Sequence, residues 1–306
     1  MPSRITTILI ALFWLATLGW LGYRDLYPRL FPGEVPPFVI ELEDELTSQL
    51  TYDPTRTADV LWVVYRNDKD VGKVKTSLRY VQADNSFELY SRVIQLRLAT
   101  GLIQIEIPEM TTSYRLSRQG ELQGMRLDGK MDLNLDAMKL GSYAARATFE
   151  GDIVGDKMNR SAIIYLPFSK EPVRPQLEPI GAPKGTFLNP LHPVPRIKGL
   201  KPGRKWRMEL VDPLAGVVEP ALLAIQEKFL AGKNPIKFSL PAAPKYLDAE
   251  VLTETAPVFY NAKEHECYVI EYRGQDEVLR TYVRVSDGWV LRQESRAFGE
   301  LIVLQR

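Results

Sequence analysis

Cysteine and histidine are nearly absent from this chain of 306 residues, which has one Cys (Cys267) and two His (His192 and His265). A single thiol excludes an internal disulfide, so a folded body must rely on its packed core. His265 and Cys267 stand two apart, and on a strand both would point to one face. They are the one pair able to form a thiolate–imidazole couple or to supply two metal ligands. Either role needs a third ligand or an orienting group, and the sequence supplies no obvious one. A buried thiol is the expected role of Cys267, and His192, between prolines, is expected to be exposed and inert. Glycine-rich phosphate loops, a nucleophile-elbow serine and an HExxH zinc motif are also missing. The expectation is therefore a protein that is not an enzyme and holds no cofactor or metal. Lys plus Arg (39) balance Asp plus Glu (38) without a long basic run, which argues against a nucleic-acid partner.

Long apolar runs are missing too, with one exception. Residues 5–23 (ITTILIALFWLATLGWLGY) carry no charge and lie between Arg4 and Arg24. As a helix this run spans about 28 Å, close to the hydrocarbon thickness of a bilayer. The competing interpretation is a cleaved signal peptide, with Thr17, Gly19 and Gly22 as the small residues. The apolar run exceeds the usual signal length of about 7–15 residues, and Trp14, Trp20 and Tyr23 resemble an interfacial aromatic belt. The expectation is a signal-anchor helix over residues 1–23, making a single pass through the cell inner membrane, with the body on the extracytoplasmic (periplasmic) side.

Residues 24–58 form a stalk in which Pro28, Pro32, Pro36 and Pro37 prevent a continuous helix. From residue 59 the pattern becomes β. Residues 60–65 (VLWVVY) suit a strand buried on both faces. Val74, Thr76, Leu78 and Tyr80 alternate with Lys73, Lys75, Ser77 and Arg79, as a strand with one solvated face requires. Further alternation places Ile94, Leu96 and Leu98 opposite Gln95 and Arg97, and Tyr143, Ala145, Ala147 and Phe149 opposite Arg146, Thr148 and Glu150. Asp128, Asp132 and Asp136 fall in such runs and are expected to face solvent. Strands joined by short glycine-marked turns predict an antiparallel meander over residues 59–169.

Eight prolines then interrupt residues 170–204, a strap or linker before a second β half over residues 205–306. That half opens with Trp206, Met208 and Leu210 on one face and contains the best helix of the body, residues 219–231. Pro220 suits its first turn and Gly232 its exit, and Leu222, Ile225 and Phe229 form its apolar stripe. Strands are expected at 250–260, 265–273, 278–285, 289–295 and 301–304, with Asp287-Gly288 marking a tight hairpin turn.

Two stretches carry a family resemblance. Residues 61–65 (LWVVY) followed by residues 71–73 (VGK) resemble the opening hairpin of poorly characterised bacterial envelope proteins, β-rich and anchored by one N-terminal helix. Residues 202–206 (PGRKW), 211–214 (VDPL), 286–294 (SDGWVLRQE) and 301–306 (LIVLQR) are similar to the carboxy-terminal halves of the same group. The resemblance spans residues 59–306 at the level of pattern. It implies a sheet like the half-barrel of periplasmic lipoprotein carriers, wrapped around one or two helices. Some relatives carry a transglutaminase-like domain, which nothing here matches.

The expected fold is mostly β, a large antiparallel curved sheet behind one transmembrane helix. The expected function is non-catalytic binding of a lipid, a lipidated protein or an envelope partner. Trp62, Tyr80, Phe87, Trp206, Leu222 and Phe229 are the candidates to line an apolar groove. The alternative is a structural scaffold of the envelope, in which the same residues close a filled core.

Overall fold

The computed structural model describes residues 4–21, 59–100, 103–117, 121–134, 141–167, 169–182, 196–197, 199–209, 246–274, 278–297 and 300–306. Helix α1 (Arg4–Leu21) is followed by strands β1 (Val60–Arg66), β2 (Lys69–Val81), β3 (Ser86–Thr100), β4 (Ile103–Leu116), β5 (Leu122–Asn134), β6 (Ser142–Val154) and β7 (Lys157–Tyr165). Next come β8 (Ile180–Gly181), β9 (Lys205–Glu209), β10 (Tyr246–Val251), β11 (Ala256–Tyr260), β12 (Lys263–Arg273), β13 (Val278–Arg284), β14 (Val290–Ala297) and β15 (Glu300–Gln305).

All of these strands belong to one antiparallel sheet, in the order β8-β7-β6-β5-β4-β3-β2-β1-β15-β14-β13-β12-β10-β9, with β11 also on β12. The two expected β halves are thus one sheet, joined where β1 pairs with β15 through Val63–Gln305 and Val64–Leu304. The meander runs outward from β1 in one direction and from β15 in the other. Each hairpin is local, whereas the central seam joins positions about 240 residues apart in sequence, a pairing that local periodicity does not encode.

One face of the sheet is buried. Trp62, Val74, Leu78, Phe87, Leu116, Phe149 and Met158 from the first half and Trp206, Leu247, Ile270, Tyr272 and Val283 from the second form one contiguous apolar cluster. We call this the inner face. β6 shows the alternation behind it: Ala145, Ala147 and Phe149 turn inward while Arg146 and Glu150 are exposed. That matches the pattern expected from sequence, because a pleated strand sends successive side chains to opposite sides.

Two expectations are corrected. Ile94 and Leu96 do not share a face. Ile94 sits opposite Lys73 on the outer side, while Val93 lies opposite Val74 in the core and Leu96 packs on the core. Gln95, between them, has φ +50°, and this residue switches the face. The strand expected over 250–260 is two strands, β10 and β11, separated at residues 252–255. The run 170–204, expected as a strap or linker, is fastened to the sheet where it is described. Val173 exchanges both backbone hydrogen bonds with Ile164 at 2.8 and 2.9 Å, Val173, Leu177 and Ile180 pack on the core, and the Ile197 N–H reaches the Gly288 carbonyl at 2.8 Å. Its prolines remove donors at 172, 175 and 179, and the donors between them are free to grip the sheet.

Helix α1 stands where the anchor was expected, but among the described residues no helix is long and apolar enough to cross a membrane. The helix has 18 residues and opens with Arg4, so its uncharged part measures about 26 Å against a hydrocarbon layer of about 30 Å. Phe13, Trp14, Leu15, Leu18 and Trp20 are exposed along it. Tyr23, the residues 24–58 of the expected stalk and the expected helix 219–231 lie outside the described residues.

Candidate functional site

The inner face carries polar side chains at its centre, an unusual place for them. In the first half Thr76, Ser91 and Thr112 form a cross-strand row over β2, β3 and β4, and all three are buried. Trp62, fully buried on β1, donates from Nε1 to Thr76 Oγ1 at 2.9 Å. Phe87 is buried beside Tyr80, with ring centroids 5.3 Å apart. Tyr80 turns its hydroxyl to Asn85 Oδ1 at 2.6 Å, at the β2–β3 turn. Of the groove candidates in this half, Trp62 and Phe87 are packed among core residues, and Tyr80 fastens a turn at the rim.

The second half is built differently. Trp206 on β9 and Tyr272 on β12 lie in one cross-strand row on either side of Ala249, and their rings meet edge-on at 6.2 Å. The Tyr272 hydroxyl is hydrogen-bonded to Thr281, and burial pushes its ionisation well above the usual tyrosine range. Thr281 Oγ1 also accepts from Gln293 Nε2 at 3.2 Å. The remaining polar ends are orphaned: Trp206 Nε1 and Gln293 Oε1 are buried without a hydrogen-bond partner among the described residues. Turning the Gln293 amide over exchanges which end is unpaired and still leaves one unpaired, since Thr281 offers the amide one contact. Leaving a buried donor or acceptor unpaired costs about 1–3 kcal/mol each. Leu222 and Phe229, the other groove candidates, lie outside the described residues. Sequence reasoning passed over Tyr272, Thr281 and Gln293, although a Thr between Leu279 and Val283 at an inward position was a legible signal.

The outer face of the second half is a lattice of arginines, acids and aromatics. The Glu271 side chain is 6% exposed and is held by Arg273 Nε at 2.7 Å and Arg280 Nε at 2.8 Å. Burial alone would raise its pKa, but the two arginines outweigh burial and hold the carboxyl below the usual range. A carboxylate with a depressed folded-state pKa contributes stability that is present above its unfolded pKa of about 4.3 and is lost as pH falls through the folded value. Glu271→Gln should therefore flatten the acid limb of stability: from pH 6 to pH 3 the variant should lose less than the native protein in denaturant melts. Parallel acid limbs would show that this triad is not a source of pH-dependent stability.

Arg284 grips Asp287 through Nε at 2.8 Å, and the guanidinium groups of Arg284 and Arg306 stand over the Trp289 ring, at 4.9 and 3.9 Å from its centroid. Cys267 is buried beneath Val258 and Leu291. Its Sγ donates to the His265 carbonyl at 3.7 Å, and burial pushes the thiol up to about 11. The geometry pairs the thiol with the backbone of His265 rather than with its imidazole. His192 lies outside the described residues, and among the described residues no group of His, Cys, Asp and Glu could hold a metal ion.

The outer face of β2–β6 is polar and cross-linked by exposed ion pairs, Arg92–Glu109, Arg126–Glu150 and Arg146–Asp128, at 2.7–2.8 Å. Such pairs contribute little individually. A hollow of about 390 Å³ opens there beside Gly124, bordered by Glu88, Arg115, Arg126 and Asp152. A larger one of about 710 Å³ lies between Arg66, Lys69, Arg97, Glu106 and Asp132. Of the three aspartates expected to face solvent, Asp128 pairs with Arg146, Asp132 borders the larger hollow, and Asp136 lies outside the described residues.

No protein-family model and no curated protein sequence matches the chain. The chain is similar to a solved structure, the crystal structure of a beta-barrel-like protein of domain of unknown function DUF1849 from Brucella abortus. The match covers 81% of this chain and 94% of that one at 10% identity, with a TM-score of 0.31.

Proposed function

We propose that this protein is a non-catalytic binding protein of the cell envelope, tethered to the inner membrane by α1 with its body on the periplasmic side. Its ligand is the acyl part of a lipid or of a lipidated protein, held on the inner face of the sheet in the manner of a half-barrel carrier. One observation supports this reading above the rest. The inner face is a continuous apolar surface through both halves, yet in the second half its centre keeps a buried donor and a buried acceptor without partners among the described residues. A core built only for packing gains nothing from such groups. The exposed aromatic and aliphatic side chains along α1 are suited to a bilayer and poorly suited to water.

A second reading, an envelope scaffold with a filled core, has its own support in the first half. There Trp62 and Phe87 are fully packed and the Trp62 indole N–H is satisfied. Under that reading partners meet the sheet at its edges, β8 and β9 among the described strands. Native mass spectrometry on residues 24–306, prepared without detergent and extracted for lipid, separates the two. A stoichiometric co-purifying acyl lipid supports the carrier; a bare mass that takes up no added lipid supports the scaffold.

A further inference from the structure

Two hollows on the outer face of the first half meet end to end. One is the hollow of about 390 Å³ beside Gly124; the other, of about 400 Å³, is bordered by Lys75, Arg79 and Arg92. Glu88 and Tyr90 on β3 border both, so the two form one trough across β2 to β6. These two shared side chains are unengaged. Glu88 stands in register between Arg79 and Arg115, yet Arg115 turns to Asp84 and to Ser86 Oγ, and Glu88 forms no ion pair among the described residues. Tyr90 is half-buried between Ser77 and Ser113 in its cross-strand row. Its side chain makes no hydrogen bond and no ring contact among the described residues. Arg92 and Arg126, by contrast, are already paired with Glu109 and Glu150.

The chemistry of the trough narrows its occupant. Lys75 and Arg79 are matched by Glu88 and Asp152, and none of the four is in an ion pair among the described residues. A ligand carrying charge of one sign therefore meets as much repulsion as attraction. Each of β2 to β6 has a strand on both sides, so no sheet edge is open here to an extended peptide. The lining side chains other than Tyr90 and Met125 are polar, which does not suit an acyl chain. A neutral polyhydroxylated ring meets all three conditions. Its hydroxyls can donate to Glu88 and Asp152 and accept from Lys75 and Arg79, while its C–H face lies on the Tyr90 ring, an apolar body with a polar tip. Neighbouring strands are about 4.8 Å apart, close to the length of one pyranose unit, so successive rings of a chain would meet successive strands.

We propose that the outer-face trough of β2–β6 binds a neutral oligosaccharide, with Tyr90 as its stacking platform and Glu88 as its central hydrogen-bond acceptor. The site lies on the opposite face of the sheet from the acyl ligand proposed above and does not depend on it.

The test is isothermal titration of the full chain in lauryldimethylamine oxide, a detergent without sugar. The probes are cellopentaose, chitopentaose, maltopentaose and mannopentaose, with pentamers of galacturonate and of glucosamine as anionic and cationic comparisons. The expected result is binding of a neutral pentaose in preference to both charged pentamers. Its affinity should fall about tenfold in Tyr90→Ala, which removes the platform. A similar fall, about tenfold, is expected in Glu88→Gln, where a charge-assisted hydrogen bond becomes a neutral one. Tyr90→Phe keeps the ring and should lose about threefold, and Asp132→Asn, in the other outer hollow, should change nothing. Glu88→Gln is nearly isosteric and carries the test alone if Tyr90→Ala loses stability. Failure of every neutral pentaose to bind at millimolar concentration would overturn the proposal, and so would preference for either charged pentamer. Neutral binding that survives both Tyr90→Ala and Glu88→Gln would overturn the assignment to this trough.

Discussion

Trp62→Ala is expected to destabilise the protein by about 3–5 kcal/mol, the range for truncating a large aromatic in a packed core. Trp62 is fully buried on β1, the strand through which the two halves of the sheet are joined, with β2 on one side and β15 on the other. Removing it leaves a cavity among inner-face residues and strands the Thr76 hydroxyl that accepted from its Nε1. Trp62→Phe should lose less, about 1–3 kcal/mol, because most of the volume remains while the hydrogen bond is gone. Equilibrium denaturation of both variants gives the comparison. A loss below about 1 kcal/mol for the alanine variant would mean that the inner face is not packed at the seam and that the first half, too, is open to ligand.

Gly72→Ala is expected to cost about 1–3 kcal/mol, far more than the added methyl group would suggest. A Cβ at Gly72 would stand 2.7 Å from Leu96 Cα and 3.0 Å from the Gln95 carbonyl oxygen. Both are backbone atoms, so no side-chain rotation relieves the clash and β2 must separate from β3. The position adjoins the irregularity of β1–β2 at Val64/Tyr65 and the positive φ of Gln95. Here the backbones of β2 and β3 come close together. Gly151 is the internal control. Its Cβ would meet Met158 Sδ at 3.1 Å and Met125 Cγ at 3.3 Å, flexible side chains that can shift. Gly151→Ala should therefore cost clearly less in the same denaturation series. Equal losses at the two positions would contradict the close approach of β2 and β3.

Much of the sheet was legible because strand alternation is a local property. The run from Val74 to Tyr80 and the run from Tyr143 to Phe149 needed only period-two counting, and Asp287-Gly288 marked a turn where Gly288 has φ +77°. The misassignments occurred where local counting breaks. At Gln95 one residue of positive φ reverses the faces, so Ile94 and Leu96 look equivalent in sequence but lie on opposite sides of the sheet. Tyr80 was named as a groove candidate because its position alternates inward, and its ring packs against the core. Its hydroxyl, however, has a partner in Asn85 five residues on, and the turn between them decides where it points. Trp206 was placed on the correct face, but the polar atoms that make its neighbourhood a candidate site come from Tyr272, Thr281 and Gln293 on three other strands.

By itself, then, the sequence determined most of the strand-forming runs, the buried and solvated sides of regular strands such as β6, the single thiol that rules out an internal disulfide, and the uncharged run that forms most of α1. These follow from residue chemistry and from spacings of a few positions, and they need no knowledge of what lies across the sheet. Only the tertiary structure decided that β1 pairs with β15, that the proline-rich run is fastened to Ile164 and Gly288, and that Trp206 Nε1 and Gln293 Oε1 on the inner face have no partner among the described residues. Those are relations between residues far apart in the chain. Whether a buried amide or indole is satisfied depends on which distant strand the fold brings beside it, and local patterning carries no record of that choice.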